Sequence, residues 1–230
     1  MSATRIHTPP QTRRKRAYSI VELMITLAIL GFVMAGVYAF STQSTRMLFT
    51  SVFRMDTNKD MRNFTQQIQT DIATANTFYI YTSFSASDRD ASTDRLAADG
   101  SGDCLVLVYD EPQPNSNSTV YITKLVCYFR NLSGITNIAD KAPVCRLEID
   151  YADQTVAAAA ASNSAESLLA GYTYTSQTYV KALNFAKGGY TNRIFFNLNG
   201  STVMVAAETY RGSDALNTTE MIHISASPRN

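Results

Sequence analysis

The sequence contains few of the residues from which catalytic and cofactor sites are built. Its 230 residues include two histidines, His7 near the N-terminus and His223 within a strand-like pattern. Neither a Ser-His-Asp nor a Cys-His arrangement can therefore be argued. The sequence also lacks the glycine-rich loop with which P-loop proteins bind phosphates. We expect no enzymatic activity from this chain, and we interpret His223 as a structural residue.

Cysteine is scarce as well, and its spacing is not that of a metal site. The three cysteines are Cys104, Cys127 and Cys145, and none belongs to the C-x-x-C pair that is typical of zinc sites and redox motifs. Two interpretations stay open. An oxidising compartment would allow one disulfide and one free thiol, with Cys127 bonded to Cys104 or Cys145 on neighbouring predicted strands, whereas three buried reduced thiols fit other compartments equally well.

The first 17 residues contain no acidic residue but five basic ones, namely Arg5, Arg13, Arg14, Lys15 and Arg16. Stretches of this kind occur in nucleic-acid-binding arms, solvated tails and the cytoplasmic flanks of membrane segments. Removing their charges lowers the formal net charge from +1 to −4. A negative remainder gives no support to a phosphate-binding surface, and we expect no nucleic-acid partner, although a local patch around Arg193 or Arg211 stays open.

A long apolar run follows the basic stretch directly. Residues 20–40 contain only two strongly polar side chains, Glu22 and Thr26, and a helix of this length spans about 31 Å, which matches the hydrocarbon core of a bilayer. The upstream cluster of basic residues predicts a cytoplasmic N-terminus and export of everything after Phe40. A cleaved secretory signal peptide fits less well, because the run is too long and no A-x-A-like site closes it.

The helical period continues beyond the predicted membrane segment. Apolar residues recur at steps of three and four in two successive runs, first Leu48, Val52 and Met55, then Met61, Phe64, Ile68, Ile72 and Ala75. This stripe predicts one helix over residues 18–76 whose second half lies with one face on a folded domain. Polar residues, among them Asp60 and Asp71, are expected on the other face.

The remaining residues, 77–230, are typical of β-structure. Strands are predicted over 77–83, 104–110, 119–130, 144–151, 193–198, 202–210 and 221–226. Asn199 and Gly200 predict a hairpin between the fifth and sixth of these, and the alanine-rich residues 156–170 fit either a short helix or an insertion. The expected fold is α+β, a long N-terminal hydrophobic helix with a membrane half and an amphipathic half, packed on a C-terminal antiparallel β-sheet head.

Five aspartates lie between the first two predicted strands, at Asp88, Asp90, Asp94, Asp99 and Asp103. Carboxylate oxygens suit Ca²⁺, but the spacing fits no EF-hand loop. A calcium site and a solvated loop are the two interpretations. No other cofactor is expected.

The junction between the basic stretch and the apolar run carries the most specific motif. It reads RRKRA followed by YSIVELMITLAILG, and it resembles the N-terminal signature of the type IV pilin and type II secretion pseudopilin family. That signature combines a basic leader, a small residue, an aromatic first mature residue and a glutamate at the fifth mature position, here Ala17, Tyr18 and Glu22. Ala17 and Tyr18 replace the Gly and Phe that are usual in the family.

The resemblance implies that a membrane aspartyl prepilin peptidase removes residues 1–17 by cleavage between Ala17 and Tyr18 and then methylates the new amino group of Tyr18. It also implies that Glu22 pairs with the N-terminal ammonium of a neighbouring subunit, since two buried charges are tolerated as a pair and not singly. Other pilin subunits, an inner-membrane assembly platform and membrane lipid are the implied partners. The implied location is the inner membrane, with one membrane pass and a periplasmic head.

Three shorter segments are similar to J-type pseudopilins and W-type minor pilins. They are FTQQIQTDIATA at 64–75, CYFRN at 127–131 and SPRN at 227–230. Together with a large head, they favour a minor subunit that joins or initiates a type IV pilus or a type II secretion pseudopilus. A DNA-uptake minor pilin and a membrane-anchored extracytoplasmic protein unrelated to pili are the alternatives.

Overall fold

The computed structural model describes residues 19–112, 120–151, 164–211 and 218–229. Its contacts divide the chain into two compact units, one up to Phe49 and one from Thr50 onward. The predicted N-terminal helix is confirmed. Helix α1 comprises Ile20–Thr74, 55 residues, about 82 Å at 1.5 Å per residue.

In the first unit, α1 has no buried side chain. Every residue from Ile20 to Gln43 is exposed, and the threonine hydroxyls are satisfied within the helix. Thr26 donates to the carbonyl of Leu23 and Thr42 to that of Ala39, both at 2.9 Å. Such bonds to the preceding turn leave few polar groups unsatisfied in an apolar surrounding.

The described residues of the second unit form one nine-stranded antiparallel sheet. Its strands are β1 (Thr77–Tyr81), β2 (Ser101–Gly102), β3 (Cys104–Pro112), β4 (Val120–Arg130), β5 (Ala142–Asp150), β6 (Val180–Gly188), β7 (Phe195–Leu198), β8 (Thr202–Arg211) and β9 (Thr218–Ala226). They lie in the order β1-β3-β4-β5-β6-β8-β7-β2, and β9 pairs with β8. The α+β fold predicted from the sequence is confirmed.

All seven predicted strands are present, and the two that were not predicted have physical reasons. Strand β2 is two residues long, and β6 pairs with β5 through two register shifts, at Pro143/Val144 and Val144/Cys145. Such irregularities break the period of two on which strand prediction rests. The predicted hairpin is confirmed. Asn199 and Gly200 both have positive φ, 53° and 74°, as a type I′ turn requires.

The second half of α1 packs on one face of the sheet. Phe64, Ile68, Ile72 and Ala75 are fully buried there, in a core with residues from β1, β3, β4, β5, β6, β7, β8 and β9. The predicted apolar stripe is therefore confirmed from Met61 onward. It is wrong for the residues before Met61, because Leu48, Val52 and Met55 are 67%, 51% and 72% exposed.

The opposite face of β3, β4 and β5 carries a second core. It contains Phe84, all three cysteines and two residues of a short helix, α2 (Ala165–Leu169). Ser164 begins this helix by accepting a hydrogen bond from the N–H of Ser167 at 3.3 Å, as an N-cap residue does. Of the alanine-rich stretch 156–170, residues 156–163 lie outside the described residues, and α2 forms within the rest.

Candidate functional site

In the described part of the first unit, α1 exposes a continuous apolar surface. Leucine, isoleucine, valine, methionine and phenylalanine side chains from Ile20 to Phe40 are at least half exposed. Water-soluble proteins rarely expose so large an apolar surface. By length and composition this helix can cross a membrane, where lipid or other helices would cover it.

Glu22 lies in the first turn of α1 and is exposed. The positive end of the helix dipole favours a carboxylate at this position. No side chain in the described part of the protein donates a hydrogen bond or ion pair to it, and an unpaired carboxylate is costly within lipid. Ala17 and Tyr18, the other two residues of the predicted assembly site, lie outside the described residues.

A polar junction fixes the end of α1 on the sheet in the second unit. Tyr128 Oη donates to Asp71 Oδ2 at 2.6 Å, and Arg146 Nε donates to the same oxygen at 2.9 Å. Tyr109 Oη donates to the backbone carbonyl of Asp71 at 2.7 Å. Asp71 was expected on the solvent-facing side of the helix. It is instead the acceptor of the contacts that position α1.

The junction continues outward along the sheet. Arg146 Nη1 donates to Glu148 at 2.6 Å, and Lys124 lies 3.2 Å from the same carboxylate. Burial and the hydrogen bond to Asp71 raise the pKa of Tyr128, so the phenol remains a donor at neutral pH. Because Asp71, Tyr128 and Arg146 bind one another across α1, β4 and β5, they determine how the helix lies on the head.

The acidic loop directs its carboxylates to protein donors. Asp103 is fully buried and accepts from Arg130 and Arg193, both at 2.8 Å. Asp88 accepts from the hydroxyl of Ser83 at 2.6 Å, and Asp94 from the N–H of Ala91 at 2.9 Å. Among the described residues, which include this whole loop, no group of three or more metal-binding side chains occurs. Three of the five aspartates therefore bind donors of the protein itself, and Asp103 is buried rather than solvated.

The three cysteines are free and buried. They lie on one face of adjacent strands, with Cys104 opposite Phe129 and Cys145 also opposite Phe129, two residues from Cys127. Cys127 is thus diagonal to each of the others, and diagonal neighbours are about 7–8 Å apart, whereas disulfide-bonded Cα atoms lie within about 4.4–6.8 Å. Of the two interpretations drawn from the sequence, this register favours three reduced thiols.

The fold as a whole, a long apolar N-terminal helix followed by an antiparallel sheet head, is a pilin-like architecture. Residues 12–38 match the family model described as the prokaryotic N-terminal methylation motif. This confirms the resemblance of the N-terminal segment to type IV pilins and pseudopilins, and the match includes Ala17, Tyr18 and Glu22. No curated protein and no solved structure matches the chain significantly.

Sequence reasoning missed the junction around Asp71, although a signal was present. Asp71 directly precedes the buried Ile72, and strand alternation places Tyr128 on the same face as the buried Val126. A carboxylate at the border of an apolar stripe and a tyrosine in a buried strand both require partners. Nothing in the sequence indicated that they are partners of each other.

Proposed function

We propose that this protein is a minor pilin or pseudopilin, a structural subunit that joins or initiates a type IV pilus or a type II secretion pseudopilus. The observation that carries the proposal is the methylation motif at residues 12–38, at the start of a helix whose apolar side chains are exposed on all sides. Such a surface suits a subunit that leaves lipid to pack among other helices. The role is structural rather than catalytic.

In this proposal a prepilin peptidase cleaves between Ala17 and Tyr18 and methylates the amino group of Tyr18. The mature chain then comprises the helix over residues 18–76 and the head over 77–230, with residues 20–40 in the inner membrane and the head in the periplasm. An inner-membrane assembly platform and other pilin-like subunits are the partners.

Glu22 is the proposed recognition residue for assembly. Its carboxylate would form an ion pair with the N-terminal ammonium group of Tyr18 from a neighbouring subunit within the packed helices. Three observations support this role: its exposure, the absence of a partner among the described residues, and its place in an otherwise apolar surface. Pairing removes the cost of an isolated charge in an apolar surrounding, so it would fix the register between two helices.

The DNA-uptake alternative loses one of its two candidate residues. Arg193 donates to Asp103 and to the carbonyl of Thr82, so its guanidinium is bound to acceptors within the head. The side chain of Arg211 is outside the described part of the chain. With a formal charge of −4 after removal of the leader, we do not extend the proposal to nucleic acid.

Mass spectrometry of the membrane-extracted protein tests the proposal. We expect a mature N-terminus at Tyr18 carrying one methyl group in cells with an active prepilin peptidase, and full-length protein in cells without it. Ala17→Gly is the matched control, and it should be processed at least as fast because it restores the smaller residue before the cut. A start at Met1 or Ser2 beside an active peptidase, or a start beyond residue 40, would contradict the pilin assignment.

A further inference from the structure

Residues 164–179, which we call the strap, cover the face of the sheet opposite α1. The strap places Ala165 and Leu169 in the second core and packs Leu168, Tyr172, Tyr174 and Tyr179 against it. The same core contains Cys104, Cys127 and Cys145. The strap and the three thiols therefore belong to the same core.

The strap forms no part of the sheet. The backbone N–H groups of Leu168, Ala170, Tyr172 and Ser176 donate to carbonyls three or four residues earlier within the strap itself. Its attachment to the sheet therefore rests on side chains. Segments held in this way open with a lower free energy than paired strands do.

One attachment is a buried carboxylate. Glu166, only 3% exposed, accepts two hydrogen bonds from Arg95, at 2.6 Å and 3.0 Å, and one from Tyr81 Oη at 2.7 Å. The guanidinium of Arg95 also lies 3.6 Å above the ring of Tyr79. A carboxylate that is buried and bound in this way is costly to leave unpaired, so the contact holds the strap closed.

The other attachment is a buried cation. Arg89 is fully buried and lies over the ring of Phe84 at 4.4 Å. Its Nη1 donates to the carbonyl of Leu169 at 2.7 Å and its Nη2 to the carbonyl of Tyr172, while Nε binds the carbonyl of Phe84. No carboxylate within the described ranges pairs with it. Two of the three carbonyls that bind this cation therefore belong to the strap.

The thiols beneath the strap are inert while it is closed. Burial raises the pKa of Cys104, raises that of Cys127 to about 12 and raises that of Cys145 to about 11. Only the thiolate attacks a disulfide, and the strand register places Cys127 diagonal to Cys104 and to Cys145 rather than directly opposite either. Reaction with an external oxidant thus requires that the cover be removed first.

We propose that the strap is a protective cover whose local opening, rather than global unfolding, exposes the three thiols of the head to oxidants. When it opens, a cysteine thiolate attacks one sulfur of a small-molecule disulfide. A mixed disulfide forms, and the other half of the oxidant leaves as a thiolate. This makes the closed head resistant to oxidation and the opened head sensitive to it, whichever filament the protein joins.

Labelling of the full-length protein in detergent with an aromatic disulfide reagent, whose released thiolate absorbs light, tests this inference. Glu166→Gln should raise the labelling rate of the thiols about tenfold or more, the effect of weakening a hydrogen bond to a charged group. Glu148→Gln is the matched control, since that carboxylate also binds an arginine but lies outside the strap's attachment. Its labelling rate should stay at the wild-type value.

The dependence on denaturant separates local from global opening. Labelling that follows opening of the strap should depend only weakly on urea at low concentration, because this opening exposes little surface. If Glu166→Gln does not fold, Tyr81→Phe is the substitute variant, and it should raise the labelling rate by a smaller factor. If the labelling rate of the wild-type protein depended on urea as steeply as global unfolding does, the inference would be overturned. Equal acceleration by Glu148→Gln and Glu166→Gln would overturn it too.

Discussion

The buried Asp103 and Glu166 and the half-buried Asp71 each have an arginine partner. Asp71 binds Arg146, Asp103 binds Arg130 and Arg193, and Glu166 binds Arg95. Glu22, in contrast, has no such partner among the described residues. A carboxylate in an apolar surface calls for a cation from outside the chain, which is what a neighbouring N-terminus offers.

Replacing Glu22 should therefore separate folding from assembly. Glu22→Ala should leave a membrane-inserted protein with a folded head, because removing a carboxylate lowers the cost of inserting the helix. Cross-linking or co-purification with the other pilin-like subunits should fall strongly. The exposed Glu111 of β3 supplies the control, and Glu111→Ala should assemble normally. Undiminished assembly of Glu22→Ala would show that helix packing alone sets the register.

Glu166 should make the closure of the strap sensitive to acid. Burial opposes its ionisation, but the hydrogen bonds from Arg95 and Tyr81 outweigh burial and lower the pKa of Glu166 from 4.5 to about 2. A lowered folded-state pKa contributes stability that is complete above the unfolded value and is lost as the pH falls. We expect the strap to open increasingly between pH 4.5 and about 2.

Hydrogen exchange read by mass spectrometry measures this opening. After correction for the intrinsic exchange rate, residues 164–179 should lose protection over that pH range before the strands β3 and β4 do. Glu166→Gln should be less protected at neutral pH and should show no further loss in this window. Uniform loss of protection across strap and strands would contradict the role of Glu166.

Helix α1 is held on the sheet by apolar contacts over its last turns, by a hydrogen bond from Asn184 of β6 to Asp60 at 2.6 Å, and by the polar junction described above. Asp71 is the centre of that junction, and its side chain is 14% exposed. Asp71→Asn keeps the shape but removes the charge that binds Arg146, so we expect the free energy of unfolding of the head to fall by about 2 kcal/mol. Urea unfolding followed by circular dichroism measures this change.

The control for Asp71 is Asp90, an exposed aspartate in the loop before β2. Asp90→Asn should change the free energy of unfolding by less than about 0.5 kcal/mol, as is usual for surface substitutions. A similarly small effect of Asp71→Asn would mean that the charge of Asp71 adds little to the apolar packing of Phe64, Ile68 and Ile72.

The elements that the sequence predicted are those defined by local patterns. A stripe of period 3.6 located α1 from Met61 onward, alternation located seven strands, and Asn199-Gly200 located the hairpin. The attachments of the strap join residues far apart in the chain, Arg95 to Glu166 and Arg89 to Leu169, which are 71 and 80 residues apart. Periodic patterns within a short stretch of sequence do not indicate such pairs, so they become visible only in the folded chain.

The candidate assembly site was predictable for a different reason. Ala17, Tyr18 and Glu22 lie within six residues, and the motif depends on their order and not on tertiary contacts. Leu48, Val52 and Met55 show the limit of the same reasoning. Their spacing continues the stripe of Phe64 and Ile68, but no pattern along one chain indicates where the head ceases to cover its helix.

The whole molecule consists of two units that should differ in the solvent they require. A chain that begins at Thr50 retains the sheet and the packed part of α1, and its core residues all lie within it. We expect this fragment to be soluble and folded without detergent, with a β-rich circular dichroism spectrum and one cooperative unfolding transition. Aggregation, or a spectrum without β-structure, would show that the head depends on the first unit.

The exposure of Leu48, Val52 and Met55 has a consequence for the thermodynamics of assembly. In the proposed assembly, residues 20–40 would exchange lipid for neighbouring helices, and lipid tails are as apolar as leucine, so the hydrophobic effect would contribute little there. Leu48, Val52 and Met55 lie beyond that span and would exchange water for a partner. Burial of apolar surface from water lowers the heat capacity, whereas transfer from lipid does not remove hydration. The heat-capacity change of assembly should therefore originate from this short part of α1. That heat-capacity change should in turn determine how filament stability varies with temperature.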